Sequence, residues 1–158
     1  MPHPGREPLL RLITVPTPAA GAEFIVKAPG EGLWRVISIA AVFTASAAVA
    51  NRRPALLADD QTDTYWAAES TVDIAAAAVV RVCAYTGAVG AGLTGVLTNL
   101  PLPTEGLILQ PGYRLRSSTA LIDVADQWSA VRAQVMEYPN GPNYETLPGP
   151  SILLAATE

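Results

Sequence analysis

The sequence is short of most side chains that carry chemistry. Its 158 residues include one cysteine and one histidine, and Lys27 is the sole lysine. A lone cysteine excludes an intrachain disulfide, and Cys83, inside the apolar run "AAAAVVRVCAYT", reads as a small buried hydrophobe. His3 stands between Pro2 and Pro4, so a Ser-His-Asp or Cys-His centre would have to be assembled on a chain end. Lys27 closes the apolar stretch "EFIVKA", where a solvated charge fits better than a Schiff-base amine. The expectation is a chain with no catalytic residue, a non-enzyme. Charge is also scarce: 15% of residues are charged, the formal net charge is -4 and the pI is about 4.9. A surface that neutralises phosphates needs clustered Arg and Lys, so no nucleic-acid partner is expected. The tight groupings Arg52-Arg53 and Arg114/Arg116 have Asp59, Asp60, Asp123 and Asp126 near them in sequence, which suggests solvated faces or ion pairs between subunits.

Runs long enough to cross a bilayer are missing too. Residues 36–51 are uncharged but too short, and residues 82–104 carry too many Gly, Thr, Asn and Pro, so no membrane span is predicted. "PHPGREP" after Met1 has neither a basic nor an apolar signal region, which predicts a chain made and used without secretion. Asp59, Asp60 and Asp63 offer oxygen ligands within one turn. The calcium-loop order with its glycine and late glutamate is absent, so a hairpin turn is expected, with no metal and no cofactor. Asp123 and Asp126 read as turn formers rather than a glycosidase pair.

What the sequence does have is apolar content, 50% by count, together with 14 prolines and 12 glycines, enough to fold one domain around one core. The prolines punctuate both ends. Residues 1–20 hold one strand-length apolar patch, "LLRLITV", and residues 140–158 finish in "SILLAA"; both read as arms flanking a body at 21–139. Each arm either packs on its own body or adds a strand to a neighbouring chain. In the body, "EFIVKA" before Pro29-Gly30 and "GLWRVISIAAVFTAS" read as strands. In the second, Ile37, Ile39, Ala41 and Phe43 share one face, and Trp34, Val36, Ala40 and Val42 the other. "PALLADD" and "TYWAAES" flank a turn and fit a hairpin. A strand begins at Val79, although Ser70-x-x-Asp73 and the alanines also permit a short helix, and "GLILQPGYRLRSST" makes two strands around Pro111-Gly112. Gly90, Gly92 and Gly95 have the spacing G-x-G-x-x-G, but Pro101 and Pro103 leave no room for the helix that nucleotide binding requires. A glycine-rich connection is the expectation there. In "ALIDVADQWSAVRAQVMEY" the residues Leu121, Val124, Trp128, Val131, Val135 and Tyr138 fall at helical spacing.

Two segments, "WRVISIAAVFTASAAVANRRPALLADD" and "LILQPGYRLRSSTALIDVADQWSAVRAQVMEYP", resemble small β-sandwich virion proteins of tailed bacteriophages, of the kind that decorate or stabilise the head. The shared signatures are structural: a "PGYRLR" turn and a "DQWS" turn that lead into core strands. The resemblance therefore implies a turn at residues 123–127 and a strand at 128–138, against the helical spacing. It implies an all-β fold, a single β-sandwich, jelly-roll-like, with extended Pro-rich N- and C-terminal arms. The expected core is Trp34, Ile37, Ile39, Phe43 and Trp128, with both indole N–H groups bonded. The expected contacts to other chains are Leu9, Leu10, Leu12 and Ile13 with Ile152, Leu153 and Leu154. The implied function is a capsid decoration protein on the head exterior, a homotrimer partnered with the major capsid protein. The rivals are a neck or tail structural protein, and a carbohydrate- or receptor-binding module stacking sugars on Tyr65, Trp66 and Tyr144.

Overall fold

The computed structural model describes residues 7–87 and 97–139. Among these it holds strands and turns but no helix, in the order β1 (Leu9–Val15), β2 (Ile25–Lys27), β3 (Leu33–Thr44), β4 (Arg53–Asp59), β5 (Thr64–Glu69), β6 (Val79–Tyr85), β7 (Leu97–Pro101), β8 (Leu107–Leu109), β9 (Arg114–Ala120), β10 (Gln127–Trp128) and β11 (Val131–Tyr138). They form two sheets. One is seven-stranded, in the order β1-β11-β3-β6-β7 with β8 and β10 also on β3, and the other runs β2-β9-β4-β5. One apolar cluster draws side chains from both, an arrangement consistent with a β-sandwich. No helix among the described residues is long and apolar enough to cross a membrane.

The long apolar β3 is the spine of the larger sheet. β11 and β10 line one of its edges, and β6 followed by β8 line the other. Its two-residue period is broken once. Ser38 lies opposite Gln134 and Val36 opposite Val135, so Ile37 is an extra residue, a β-bulge. The bulge turns Val36 and Ile39, three positions apart, toward the same core. Trp34, Val36, Ile39, Ala41 and Phe43 therefore share the buried face. Ile37, expected in the core, is left partly exposed and outside that cluster. Trp128 lies at the centre, edge-on to Phe24 at 5.1 Å and tilted against Phe43 at 4.9 Å between ring centroids.

The segment with helical spacing is a turn followed by two strands. Leu121 and Val124 lie exposed in the turn, while Trp128, Val131, Ala133 and Val135 point inward. Between β10 and β11 the ladder skips from Trp128↔Phe43 to Arg132↔Ala40. Ser129 fills the gap: its N–H donates to the Val42 carbonyl at 2.8 Å and its Oγ accepts the Val42 N–H at 2.9 Å. That extra residue produces the three-residue step from Trp128 to Val131, which imitates a helix in the sequence.

β4 and β5 pair as an antiparallel hairpin, with the Asp60 carboxylate accepting the N–H groups of Thr62 and Asp63 in its turn. β8 and β9, on either side of Pro111-Gly112, belong to different sheets, so that turn carries the chain across the core. β6 and β7 are parallel, which requires a long connection, and residues 86–96 make it. Gly90, Gly92 and Gly95 lie outside the described residues, and the chain continues after them as strand β7.

β1 is also part of this architecture. Residues 9–15, expected within an arm, pair along their whole length with β11 of the same chain. Ile13 and Val15 pack against the core.

Candidate functional site

Several charged side chains are engaged within the chain. Arg52, which the sequence suggests is solvated or intersubunit, is fully buried and paired with fully buried Asp126 at 3.0 Å. Its other nitrogens donate to the carbonyls of Ala48 (2.6 Å) and Ala50 (3.0 Å) and to Ser46 Oγ (2.9 Å). Asp126 also accepts the N–H of Ser46 and of Asp123, each at 2.7 Å. Burying a guanidinium is tolerable only when its donors are met in this way. The result is a clasp joining residues 45–52 to the turn at 121–126. Burial pushes the Asp126 carboxyl up, but the N–H groups of Asp123 and Ser46, the Arg52 guanidinium and the Ser46 hydroxyl together hold it below the usual carboxylate range.

Three further arginines are likewise met within the chain. Arg53 pairs with Asp73 and Glu69, and Arg114 and Arg116 both bond Asp59. Burial again pushes Asp59 up, and the two arginines with the Gln61 N–H outweigh it. Glu23, which no sequence motif marks, has a carboxylate that accepts from the Ser117 hydroxyl, the Thr119 N–H and, at 3.0 Å, the Trp128 indole N–H. Those partners lie 94 to 105 positions away, so nothing local marks Glu23 as buried-side wiring. Trp34 Nε1, expected to be bonded, is buried without an acceptor among the described residues.

Among the described residues, two exposed apolar surfaces stand out. The first is β1, the last strand of its sheet. Leu10 and Leu12 are 64% and 66% exposed and Leu9 nearly half, while Ile13 turns inward. Arg11 pairs with Glu137 across the ladder. Ile152, Leu153 and Leu154 lie outside the described residues. The second surface is the loop end built on the Arg52 clasp. Residues 72–78 join it through Ala45 N–H to the Ala78 carbonyl and Ala77 N–H to the Ser46 carbonyl, both 2.8 Å. Residues 19–22 join it through Gly21, whose N–H meets the Asp126 carbonyl at 2.7 Å.

A shallow depression of about 290 Å³ is lined by Asn51, Arg53, Glu69, Asp73, Ala120 and Leu121, and its charges are already paired with one another. Of the aromatics proposed to stack sugars, Tyr65 is 44% exposed and donates to the Ile108 carbonyl at 2.9 Å. Trp66 packs against the core, and Tyr144 lies outside the described residues. Among the described residues no three His, Cys, Asp or Glu side chains are grouped to hold a metal ion.

No family model, no curated protein and no solved structure matches this chain.

Proposed function

We propose that this chain is a structural virion protein of a tailed phage, a capsid decoration protein that binds the exterior of the head and stabilises it. In this reading it is a jelly-roll-like sandwich with Pro-rich ends, works as a homotrimer, and has the major capsid protein as its partner. The observation that carries the reading is β1: a seven-residue apolar strand at a sheet edge, with Leu9, Leu10 and Leu12 open to solvent. An edge of this kind carries unpaired main-chain groups and is a template for strand addition. Proteins that have no use for such an edge blunt it with charged residues, Pro or bulges; β1 has no Pro and no bulge, and its one charge, Arg11, is paired with Glu137 on the neighbouring strand. A lattice repeats one docking site many times, so a modest contact per subunit becomes firm once subunits are linked. The resemblance of the PGYRLR and DQWS segments supplies the phage-head context.

The test is co-sedimentation with heads of the parent phage assembled without this chain. The wild type is expected to sediment with them and raise their resistance to heat, and the double variant L10D/L12D to stay in the supernatant while melting like the wild type. Wild-type protein that never sediments with heads overturns the reading. A second reading, a glycan-binding module, is favoured by the exposed Tyr65 ring 5.7 Å from Tyr113. Glycan-array binding abolished by Tyr65→Ala would select it.

A further inference from the structure

We infer that the loop end built on the Arg52 clasp is a preformed self-association surface, on which copies of this chain meet around their symmetry axis. The inference deepens the decoration reading by assigning oligomer formation to this end and leaving β1 free for the lattice.

Arg52 places a guanidinium in a fully buried position and gives its bonds to main-chain carbonyls on either side of Val49. Gripped at Ala48 and Ala50, Val49 is held 97% exposed. The same network fixes the neighbouring turn, in which Val124 is 84% exposed and Leu121 is held at a φ of 57°. Ala77, on the adjoining loop, also has a positive φ of 58°. Non-glycine residues in this region cost free energy, and they persist where the surroundings over-determine them. Buried ionic wiring and local strain thus hold apolar side chains out in water. With Val72 and Val79, this one end carries five of the ten exposed large hydrophobic residues among those described.

Charge chooses the occupant. The exposed residues of loops 45–51 and 121–125 are alanine, valine, leucine and asparagine; Asp123 is partly buried, accepting the Ser46 hydroxyl at 3.1 Å. Of the charges bordering the end, Arg53, Glu69 and Asp73 pair with one another, and Arg81 lies exposed two residues beyond Val79 on β6. A lipid headgroup or nucleic acid would need free Arg or Lys here, and a sugar would need aromatic rings; the described loops present neither. Around a cyclic axis, by contrast, like residues of the copies approach one another, so a surface that meets itself must be free of unpaired charge. In a chain of net charge -4, loops 45–51 and 121–125 meet that condition. Its small side chains also allow close approach. Association of such an end is expected to depend on concentration.

The test is sedimentation equilibrium of the purified full chain over a concentration series, with wild type, the double variant V49D/V124D and the double variant L10D/L12D. All four side chains point into solvent, and unchanged melting of the dilute proteins verifies folding. The wild type is expected to self-associate, V49D/V124D to do so about a hundredfold more weakly, and L10D/L12D to match the wild type. A wild type that stays monomeric overturns the inference, as does V49D/V124D associating like the wild type. Head binding is scored separately: a monomeric wild type that still sediments with heads removes this inference and the homotrimer, and leaves a head-binding protein. A wild type that associates through Val49 and Val124 but ignores heads does the reverse.

Discussion

At the scale of single residues, stability rests on a few polar atoms wired into an apolar core. Replacing Asp126 with alanine strands the Arg52 guanidinium in a site with no access to water. The expected cost is about 3–5 kcal/mol, read from urea unfolding, because a broken buried pair leaves one charge uncompensated. The two core tryptophans should differ. Trp→Ala at either removes a large buried side chain and should cost about 3–5 kcal/mol. Trp→Phe separates them, since Trp128 loses its bond to Glu23 whereas Trp34 has no acceptor among the described residues to lose. Phenylalanine at 128 should therefore destabilise more than phenylalanine at 34, and equal melting shifts would contradict the wiring described. Acid should act through the same groups. Asp59 and Asp126 are both held below the usual carboxylate range, so their folded-state values lie under the unfolded value of ~3.9. Their contribution is complete above that value and is lost as pH falls through the folded values. A melting profile that declines below about pH 4 in the wild type, and less steeply in an Asp59→Asn variant, is the expected outcome.

Among the elements, β1 shows most clearly how a composition-based boundary differs from a physical one. The prolines of residues 1–20 suggest an arm that can be deleted without disturbing the body. Yet Ile13 and Val15 pack on the core, and β1 covers one edge of β11. Deleting residues 1–15 is therefore expected to cost stability, about 2–3 kcal/mol from the lost apolar burial, instead of merely loosening an oligomer. A truncated chain with an unchanged denaturation midpoint would restore the arm. Gly21 marks the next constraint along the chain. Its φ is 71°, and a Cβ there would sit 2.7 Å from the Val124 Cα. Gly21→Ala should cost about 1–3 kcal/mol or more and loosen the 121–126 turn, observable as faster amide exchange at Asp126.

For the molecule as a whole, the glycine stretch between β6 and β7 bears on function by what surrounds it. A dinucleotide loop needs a strand before it and a helix after it, and here the following element is β7, parallel to β6 in the same sheet. Millimolar NAD, FAD or ATP should leave the melting temperature unchanged, because only a ligand that binds the folded state raises it. A shift of several degrees would count against this view. The same scale explains why the basic pairs look like surface features in sequence. Arg52 and Asp126 are 74 positions apart and Arg116 and Asp59 are 57 apart, so only tertiary structure brings them together: the second pair meets across the β4–β9 ladder of one sheet, the first where the start of β4 meets the turn before β10 of the other.

The sequence by itself determined the strands at β2, β3 and β6, the hairpin at residues 53–69, the turn at Pro111-Gly112 and most of the β3 core, because alternation and turn chemistry are local and repeat every two to four residues; over residues 121–138 its periodicity pointed to a helix. Tertiary structure decided what no local pattern holds. The bulge at Ile37 and the break at Ser129 shift the phase of two strands, and their positions depend on the partner strand's register. The burial of Arg52 and the role of Glu23 depend on groups far away along the chain. Whether "LLRLITV" is an arm or a sheet edge was likewise settled by β11, since a strand of that composition is satisfied by any free edge, and its own chain offers one within reach.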